Sequence, residues 1–361
     1  MATQNVSSST PAVAQTSSLR LPLVLALLTS VLLDFCFPVA GPMPRWHAFI
    51  AWIALVPLLY ALLHERTAAH PRYLRRAALI GYASGVLWYI LNCYWIYQTM
   101  CYYGHVPPIG SAGIVVLYAL VLGLYFALFG LILAFFRQRF SLTAALLLAP
   151  FLWTALELAA ARITSVPWDQ LGYSQVDSLT LGGLATWTGV YGISFVVVFL
   201  NAALASLIFF PRPKFPKYSV RDLLFGIPWA VLGIVALAPY PPPSPTNHYA
   251  VLLQPNIDVA TNDNWIGPQW DNDPNWLLTQ SQQTCTPAYA GMPPAHNTDA
   301  NPAPTPNCAD NTPPPGLILW PEVASWFRSN DPQTQSLLAQ IATTNHAPVV
   351  AGMVGEDTTG T

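Results

Sequence analysis

The sequence predicts a multi-pass α-helical membrane domain followed by an α/β domain, and three observations support this fold class. Of the 361 residues, 53% are hydrophobic and only 8% are charged, whereas soluble domains carry about 25% charged residues. Most of the apolar residues fall into long stretches before residue 240. A proline-rich segment then separates this half from a more polar remainder.

Seven long apolar stretches follow a Ser/Thr-rich segment at residues 1–18, which we interpret as a disordered tail. A helix needs about 20 apolar residues to cross the hydrocarbon of a membrane. We therefore expect a transmembrane domain of about seven helices at residues 19–240. The third and fourth stretches are the clearest, because neither contains a charge. The stretches lie at residues 20–38, 46–63, 77–100, 112–136, 141–160, 187–210 and 223–240.

The arginines and lysines between these stretches predict the orientation. Eleven of the fourteen fall on one side of the predicted membrane, and only Arg45, Arg162 and Arg328 fall on the other. Because positive residues concentrate on the cytoplasmic side, we expect a cytoplasmic N-terminus. Everything after Tyr240 would then lie outside the cytoplasm. The net charge of −2 also argues against nucleic acid as a partner.

The second half begins after PYPPPSP at residues 239–245, and we place a stiff proline-rich linker at residues 241–247. Short apolar runs in residues 248–361 predict strands that alternate with a helix, which indicates a layered α/β domain. Residues 285–315 are rich in Pro and Asn and predict an extended loop. The strands are expected at residues 250–253, 317–320 and 348–353, and the helix at residues 333–343.

The segment GLILWPEVASWF at residues 316–327 holds the sharpest chemical signal. An apolar strand ends at Trp320, Pro321 stops the ladder, and Glu322 stands just beyond it. A carboxylate at the end of a buried strand is partly desolvated, so its pKa can rise toward neutrality and suit acid/base chemistry. A solvated loop glutamate is the alternative, and the residues alone leave both open.

Several segments together resemble the apolipoprotein N-acyltransferase family of bacterial membrane enzymes. The resemblance covers about residues 20–361, and it implies that the second half is a nitrilase-like α-β-β-α sandwich of the carbon–nitrogen hydrolase type. The LILWPE segment is similar to the one that bears the family's catalytic glutamate. The other similar segments are ALEL at 155–158, VPWDQLGYSQ at 166–175, TGVYGISFVVVFLNAAL at 188–204 and VLLQPNI at 251–257.

The resemblance implies a Glu-Lys-Cys triad that forms a thioester acyl-enzyme, with Glu322 as the general base. The family's lysine, which helps to stabilise the oxyanion, and its cysteine both follow the glutamate. In this sequence no lysine follows Lys217 and no cysteine follows Cys308. We therefore expect a C-terminally truncated chain with an incomplete nitrilase-like domain, which does not complete catalysis as it stands.

Two cysteines of the second half, Cys285 and Cys308, precede the glutamate and flank the Pro/Asn-rich loop. On the oxidising side of the membrane, a disulfide between them is the better interpretation. Cys36, Cys93 and Cys101 lie in or near the apolar stretches and are most simply small apolar residues.

Four polar or aromatic residues of the membrane half also draw attention. Glu157 near the end of the fifth stretch is interpreted as an interfacial ion pair with Arg162, in preference to a functional intramembrane charge. Trp168 and Tyr173 would line the lipid access to the active site, as the resemblance suggests, or belong to the aromatic belt of the membrane interface. Asn201 is expected to make an interhelical hydrogen bond.

The leading hypothesis is transfer of an acyl chain from a phospholipid to the N-terminal diacylglyceryl-cysteine of apolipoproteins, by a monomer in the bacterial inner membrane. No cofactor is expected, and the scattered histidines predict no metal site. One alternative is a membrane-tethered nitrilase-type amidase that uses water as the acceptor. Another is a non-catalytic membrane protein. Seven spans favour the first hypothesis, since both of its substrates arrive through the bilayer.

Overall fold

The computed structural model describes residues 19–37, 46–209, 250–253, 281, 316–320 and 329–353. The chain divides into two compact units, residues 1–240 and 241–361, and each is described by itself. The expected tail, linker, seventh stretch and Pro/Asn-rich loop lie outside the described residues, as do Glu322, Cys285 and Cys308.

Within residues 19–37 and 46–209, the first unit is built of α-helices, with a short 3-10 helix at Leu171–Gln175. Local signals mark several helix starts. Ser141 Oγ caps one helix by accepting from Ala144 N at 3.0 Å, and Pro108 occupies the first position of another. The helices are α1 Arg20–Asp34, α2 His47–Ile50, α3 Val56–Leu63, α4 Glu65–Ala68, α5 Tyr73–Asn92, α6 Trp95–Tyr102, α7 Pro108–Arg139, α8 Leu142–Ile163 and α9 Leu179–Phe209.

Three of the described helices are long and apolar enough to cross a membrane: α7, α8 and the part of α9 at Leu181–Phe209. Helices α5 and α6 form a fourth candidate span if the pair, bent by 49°, counts as one. These helices correspond to the third to sixth expected stretches and are consistent with a membrane domain. Helix α1 has 15 residues, fewer than the stretch expected at 20–38.

The stretch expected at 46–63 is not one helix, because a turn at residues 51–55 separates α2 from α3. Pro57 stands in the first turn of α3, where its missing N–H costs nothing. The buried side chain of Asn201, in α9, binds the backbone of this turn on both sides. Asn201 Nδ2 donates to Ala51 O at 2.8 Å, and Leu55 N donates to Asn201 Oδ1 at 2.9 Å. Asn201 thus makes hydrogen bonds beyond its own helix, as expected, but the partner is the turn between two helices rather than a helix.

Replacing Asn201 by leucine should destabilise the first unit, because leucine keeps the volume but leaves the Leu55 N–H and the Ala51 carbonyl without a partner. Each buried polar group left unsatisfied costs about 1–3 kcal/mol. Thermal unfolding of the purified protein in detergent, followed by circular dichroism, measures the loss. Asn201→Asp keeps an acceptor for Leu55 N but loses the donor to Ala51 O and buries a carboxylate, so it should also be less stable than the wild type. Equal stability of Asn201→Leu and the wild type would contradict the role given to this side chain.

Helices α5 and α7 pack backbone to backbone through glycines. A Cβ atom built on Gly81 would collide with the carbonyl oxygen of Phe126, and one built on Gly130 would collide with that of Ala77. A Cβ on Gly85 would lie 2.7 Å from Phe126 Cβ. Small residues of this kind allow close approach of helices inside a membrane.

Helix α9 is interrupted at Gly189, whose backbone has φ 62° and ψ −166°. This conformation lies outside the helical region and is open almost only to glycine. The break explains why α9 begins at Leu179, although the apolar stretch was expected from residue 187: a second helical segment precedes the break.

The described residues of the second unit contain three parallel strands in the order β1-β2-β3, formed by Ala250–Leu252, Leu317–Leu319 and Val349–Val350. Helix α10, Pro332–Asn345, connects β2 to β3 and begins at an Asp331 cap. These elements confirm the three expected strands and the expected helix. Parallel strands joined through a helix are typical of α/β architecture. The nitrilase-like sandwich stays a prediction.

Candidate functional site

The loop at residues 164–178, between α8 and α9, is fixed to the helices around it by side-chain hydrogen bonds. Leu171 N donates to Glu157 Oε1 at 2.8 Å, and Gly172 N donates to Ser194 Oγ at 2.9 Å. Gln175 Nε2 donates to the carbonyl of Ala48 at 2.8 Å. The loop therefore has a defined conformation, which its irregular backbone alone would not give it.

Trp168 and Tyr173, the two predicted substrate-binding residues of this loop, have different surroundings. Trp168 Nε1 donates to the Tyr118 hydroxyl at 3.2 Å, and its ring meets Trp95 edge-on at 6.0 Å. Trp168 also lines a cavity, whereas Tyr173 does not and is 46% exposed. The structure brings only Trp168 to this cavity, and the substrate-binding roles of both residues stay predictions.

The cavity lies between helices α5, α7 and α8 and the 164–178 loop, with an empty volume of about 460 Å³ that includes open space at its mouth. Several of its rings pack against one another, such as Phe126 and Trp153 with centroids 5.1 Å apart. Such mutual packing holds the rings in place. The aromatic residues of the lining are Trp88, Tyr89, Tyr125, Phe126, Phe129, Trp153 and Trp168.

Two carboxylates, Glu157 and Asp169, stand in this aromatic lining. Glu157 Oε1 accepts from Trp153 Nε1 and from Leu171 N, each at 2.8 Å. The ion pair expected between Glu157 and Arg162 is wrong: the described residues form no such pair, and Arg162 is exposed. Residues five positions apart lie on different faces of a helix, so Arg162 is not a neighbour of Glu157. Glu157 instead anchors the loop that follows its own helix.

Asp169 is the second carboxylate, and its backbone adopts a left-handed conformation with φ 64°. Asp tolerates this region better than most residues. Burial raises the pKa of Asp169 to about 6, the nearby Asn92 side chain lowers it, and the charge of Asp34 raises it further. Cys93 Sγ lies 4.0 Å from Asp169 Oδ2. The cavity thus holds a carboxyl group that titrates close to neutrality.

Asp169→Asn should stabilise the first unit at pH 8 by about 1–3 kcal/mol, because it removes a buried charge. The pKa of about 6 lies above the ordinary value of 3.8, so the contribution of this carboxyl group to wild-type stability is fully present below pH 4 and is lost as the pH rises through 6. The stability gap between variant and wild type should therefore close toward pH 4. Thermal unfolding at a series of pH values checks this, and a gap that does not change with pH would contradict it.

The sequence signals for this cavity were present but were interpreted differently. A glutamate inside an apolar stretch and an aspartate in the PWDQ segment were both visible. Their convergence on one cavity depends on the fold of the 164–178 loop, which no periodicity reveals. Glu322 lies outside the described residues. The strand that leads to it, β2, is the middle strand of the sheet, and Trp320 Nε1 at its end donates to Ser281 Oγ at 3.0 Å.

Comparison with known proteins identifies similar sequences. The family model described as the apolipoprotein N-acyltransferase N-terminal domain matches residues 21–203. Apolipoprotein N-acyltransferase of Geobacter metallireducens is 33% identical over 245 residues, which are 65% of this chain and 43% of that protein. The Haemophilus ducreyi and Coxiella burnetii proteins of the same name are each 29% identical, over 64% and 69% of this chain and 44% and 47% of their own lengths. The matched part of the chain thus spans less than half the length of these relatives.

Proposed function

The chain belongs to the apolipoprotein N-acyltransferase family, and on this basis we propose that it serves lipoprotein maturation through a thioester acyl-enzyme. The acyl donor is a phospholipid, and the acceptor is the N-terminal diacylglyceryl-cysteine of an apolipoprotein. The observation that carries the proposal is the family match over residues 21–203, which includes the 164–178 loop and its anchors. The named relatives are bacterial, and the long apolar helices suit a membrane enzyme.

The proposed reaction has two steps, and both use a Glu-Lys-Cys triad of which this sequence carries the glutamate. In the first step, the cysteine thiolate attacks an ester carbonyl of the phospholipid. A thioester forms, the ester C–O bond breaks, and the leaving lysophospholipid oxygen takes the proton that Glu322 had removed from the thiol. The lysine helps to stabilise the oxyanion.

In the second step, the α-amine of the diacylglyceryl-cysteine attacks the thioester. Glu322 accepts the proton that the amine loses, an amide bond forms, and the thiolate leaves. The position of Glu322 supports this role. In the sequence it follows by three residues the end of β2, the central one of the three described strands, and a carboxylate just beyond a buried strand would be partly desolvated.

We further propose the inner membrane as the location, with the N-terminus in the cytoplasm and the second unit in the periplasm. The distribution of arginine and lysine supports this orientation. A reporter enzyme fused after Tyr240 should be active only outside the cytoplasm. Activity inside the cytoplasm would contradict the orientation and would separate Glu322 from its lipoprotein substrate.

The proposed reaction predicts that lysophospholipid accumulates in step with acylated lipopeptide. The assay mixes a version of the protein that carries the whole triad with phospholipid and a synthetic diacylglyceryl-lipopeptide, and follows both products by thin-layer chromatography. The two products should form in equal amounts. Release of ammonia from small amides, without lysophospholipid, would instead identify an amidase. If neither lysophospholipid nor acylated lipopeptide forms, the proposal is overturned.

A further inference from the structure

The cavity beneath the 164–178 loop combines two kinds of lining that rarely occur together. Its walls are aromatic rings, and the faces of such rings attract cations within about 6 Å of the ring centroid. Its charged residues are Glu157 and Asp169, and the described residues of its lining include no lysine, arginine or histidine. A third carboxylate, Asp34, lies close enough to raise the pKa of Asp169. The electrostatic field in the cavity is therefore negative.

Two deeply buried side chains of the same lining also have polar atoms that are unmatched within the described part of the chain. Gln170 is 4% exposed, and its Oε1 accepts no hydrogen bond there. Trp88 is also 4% exposed, and its Nε1 donates none. A buried polar atom without a protein partner is ordinarily satisfied by water or by a polar ligand, so these atoms suit the cavity to a polar rather than an apolar occupant. Gln170 Oε1 and the carboxylates are acceptors, which suits a ligand with several N–H donors.

These features select the chemistry of the ligand by exclusion. An anion is disfavoured by the two carboxylates. An acyl chain would leave the carboxylates and the Gln170 oxygen unsatisfied in an apolar contact. The described residues contain no group of three or more His, Cys, Asp or Glu side chains placed to hold a metal ion. An organic ammonium group suits the negative field, the acceptors and the aromatic faces, because it carries a positive charge, donates hydrogen bonds and binds to aromatic faces. Trp88 Nε1 is a donor and needs an acceptor on the same molecule, such as the hydroxyl oxygen of ethanolammonium.

We propose that this cavity binds an organic ammonium group, with Asp169 and Gln170 as acceptors and with Trp88, Trp153 and Trp168 as aromatic walls. The group is the headgroup of an aminophospholipid or a small soluble amine. The proposal does not rest on the acyl-transfer mechanism, since it uses none of the triad residues. Its binding is measured without turnover, so the test does not depend on the proposed function.

The test measures how ethanolammonium changes the unfolding temperature of the purified full chain in detergent at pH 8. A ligand that binds only the folded state raises this temperature. Ethylene glycol, which is similar in size and neutral, and sodium chloride at equal concentration serve as the reference compounds. Ethanolammonium should stabilise the wild type, and the two references should not.

The variants separate the cavity from the protein surface. Asp169→Asn removes the charge and should weaken binding about tenfold or more, because hydrogen bonds to charged groups are the strong ones. Trp168→Leu removes a wall that is 43% exposed, so folding is not at risk, and it should weaken binding several-fold. Asp177→Asn is the matched control: this residue is exposed in the same loop and does not line the cavity. Its response should equal that of the wild type.

Lipid nanodiscs distinguish the two sources of the ammonium group. If the lipid carries it, ethanolammonium should stabilise the protein in phosphatidylglycerol discs and have little further effect in phosphatidylethanolamine discs. An equal response in both discs identifies a soluble amine, and either result supports the site. The proposal is overturned if ethylene glycol or sodium chloride stabilises as well as ethanolammonium, or if Asp169→Asn and Trp168→Leu respond like the wild type.

Discussion

Glu322→Gln should reduce acyl transfer by about 100- to 10,000-fold, the usual cost of losing a general base. The measurement is made in a version of the protein that carries the whole triad. Glutamine keeps the shape of the side chain but cannot accept a proton, so the thiol is not activated. The acyl-enzyme thioester should therefore fail to accumulate, and mass spectrometry of the protein after incubation with phospholipid detects this directly. Expression and membrane insertion should resemble those of the wild type.

Asp331→Asn is the matched control for this substitution. It also changes a carboxylate to an amide in the second unit, but at the N-cap of α10, where Asp331 accepts from Gln333 N and Thr334 N. Asparagine caps helices about as well as aspartate, so this variant should transfer acyl chains at the wild-type rate. Near-normal transfer by Glu322→Gln would remove Glu322 from the mechanism. If the glutamine variant misfolds, Glu322→Asp serves as the second test, because it retains a carboxylate that can accept a proton.

Gly81→Ala should destabilise the first unit by about 1–3 kcal/mol, although alanine ordinarily favours a helix. The added Cβ meets the backbone carbonyl of Phe126 in α7, and a backbone atom cannot rotate away as a side chain can. Helices α5 and α7 must therefore move apart. The aromatic cavity between them would widen, and thermal unfolding in detergent measures the cost.

Gly113→Ala provides the comparison within α7, because a Cβ at this position has no neighbouring atom within 4 Å. Here the better helix propensity of alanine acts alone, so the variant should be as stable as the wild type or up to about 1 kcal/mol more stable. If both alanine variants behave alike, the close contact at Gly81 does not limit helix packing.

The parts of the fold that depend on local pattern were predictable from the sequence. The uncharged stretch at 112–136 became α7, and the stretch at 141–160 became α8, each within a few residues. The three short strands also appeared where β-branched and apolar residues cluster. In all of these, the residues that decide the structure lie within the element itself.

The parts that depend on distant contacts were not predictable. An apolar stretch has the same hydropathy whether it forms one helix or two helices joined by a turn, so hydropathy did not predict the turn at residues 51–55. Pro57 was the one local signal, since proline favours the first turn of a helix. The partner of that turn, Asn201, is 150 residues away from Ala51. The bend between α5 and α6 has neither proline nor glycine at residues 93–94.

The candidate site follows the same division. The WPE segment of the second half could be found from sequence, because strand, proline and glutamate are adjacent. The carboxylates of the cavity could not, since Glu157 and Asp169 are joined by a loop whose course depends on Ser194 and Ala48. From the sequence alone, Glu157 could pair with any of several polar groups, and the predicted partner, Arg162, is not the one that the structure shows.

The two hydrogen bonds between Asn201 and the turn at residues 51–55 also determine the order in which these segments can assemble during synthesis. Residue 201 leaves the ribosome about 8 to 30 s after residue 51, at 5–20 residues per second. Throughout that interval the Leu55 N–H and the Ala51 carbonyl must be satisfied by water or by the insertion machinery. We conclude that α2 and α3 reach their final arrangement only after α9 has arrived, so a nascent chain stopped before residue 201 should leave this turn open to proteases.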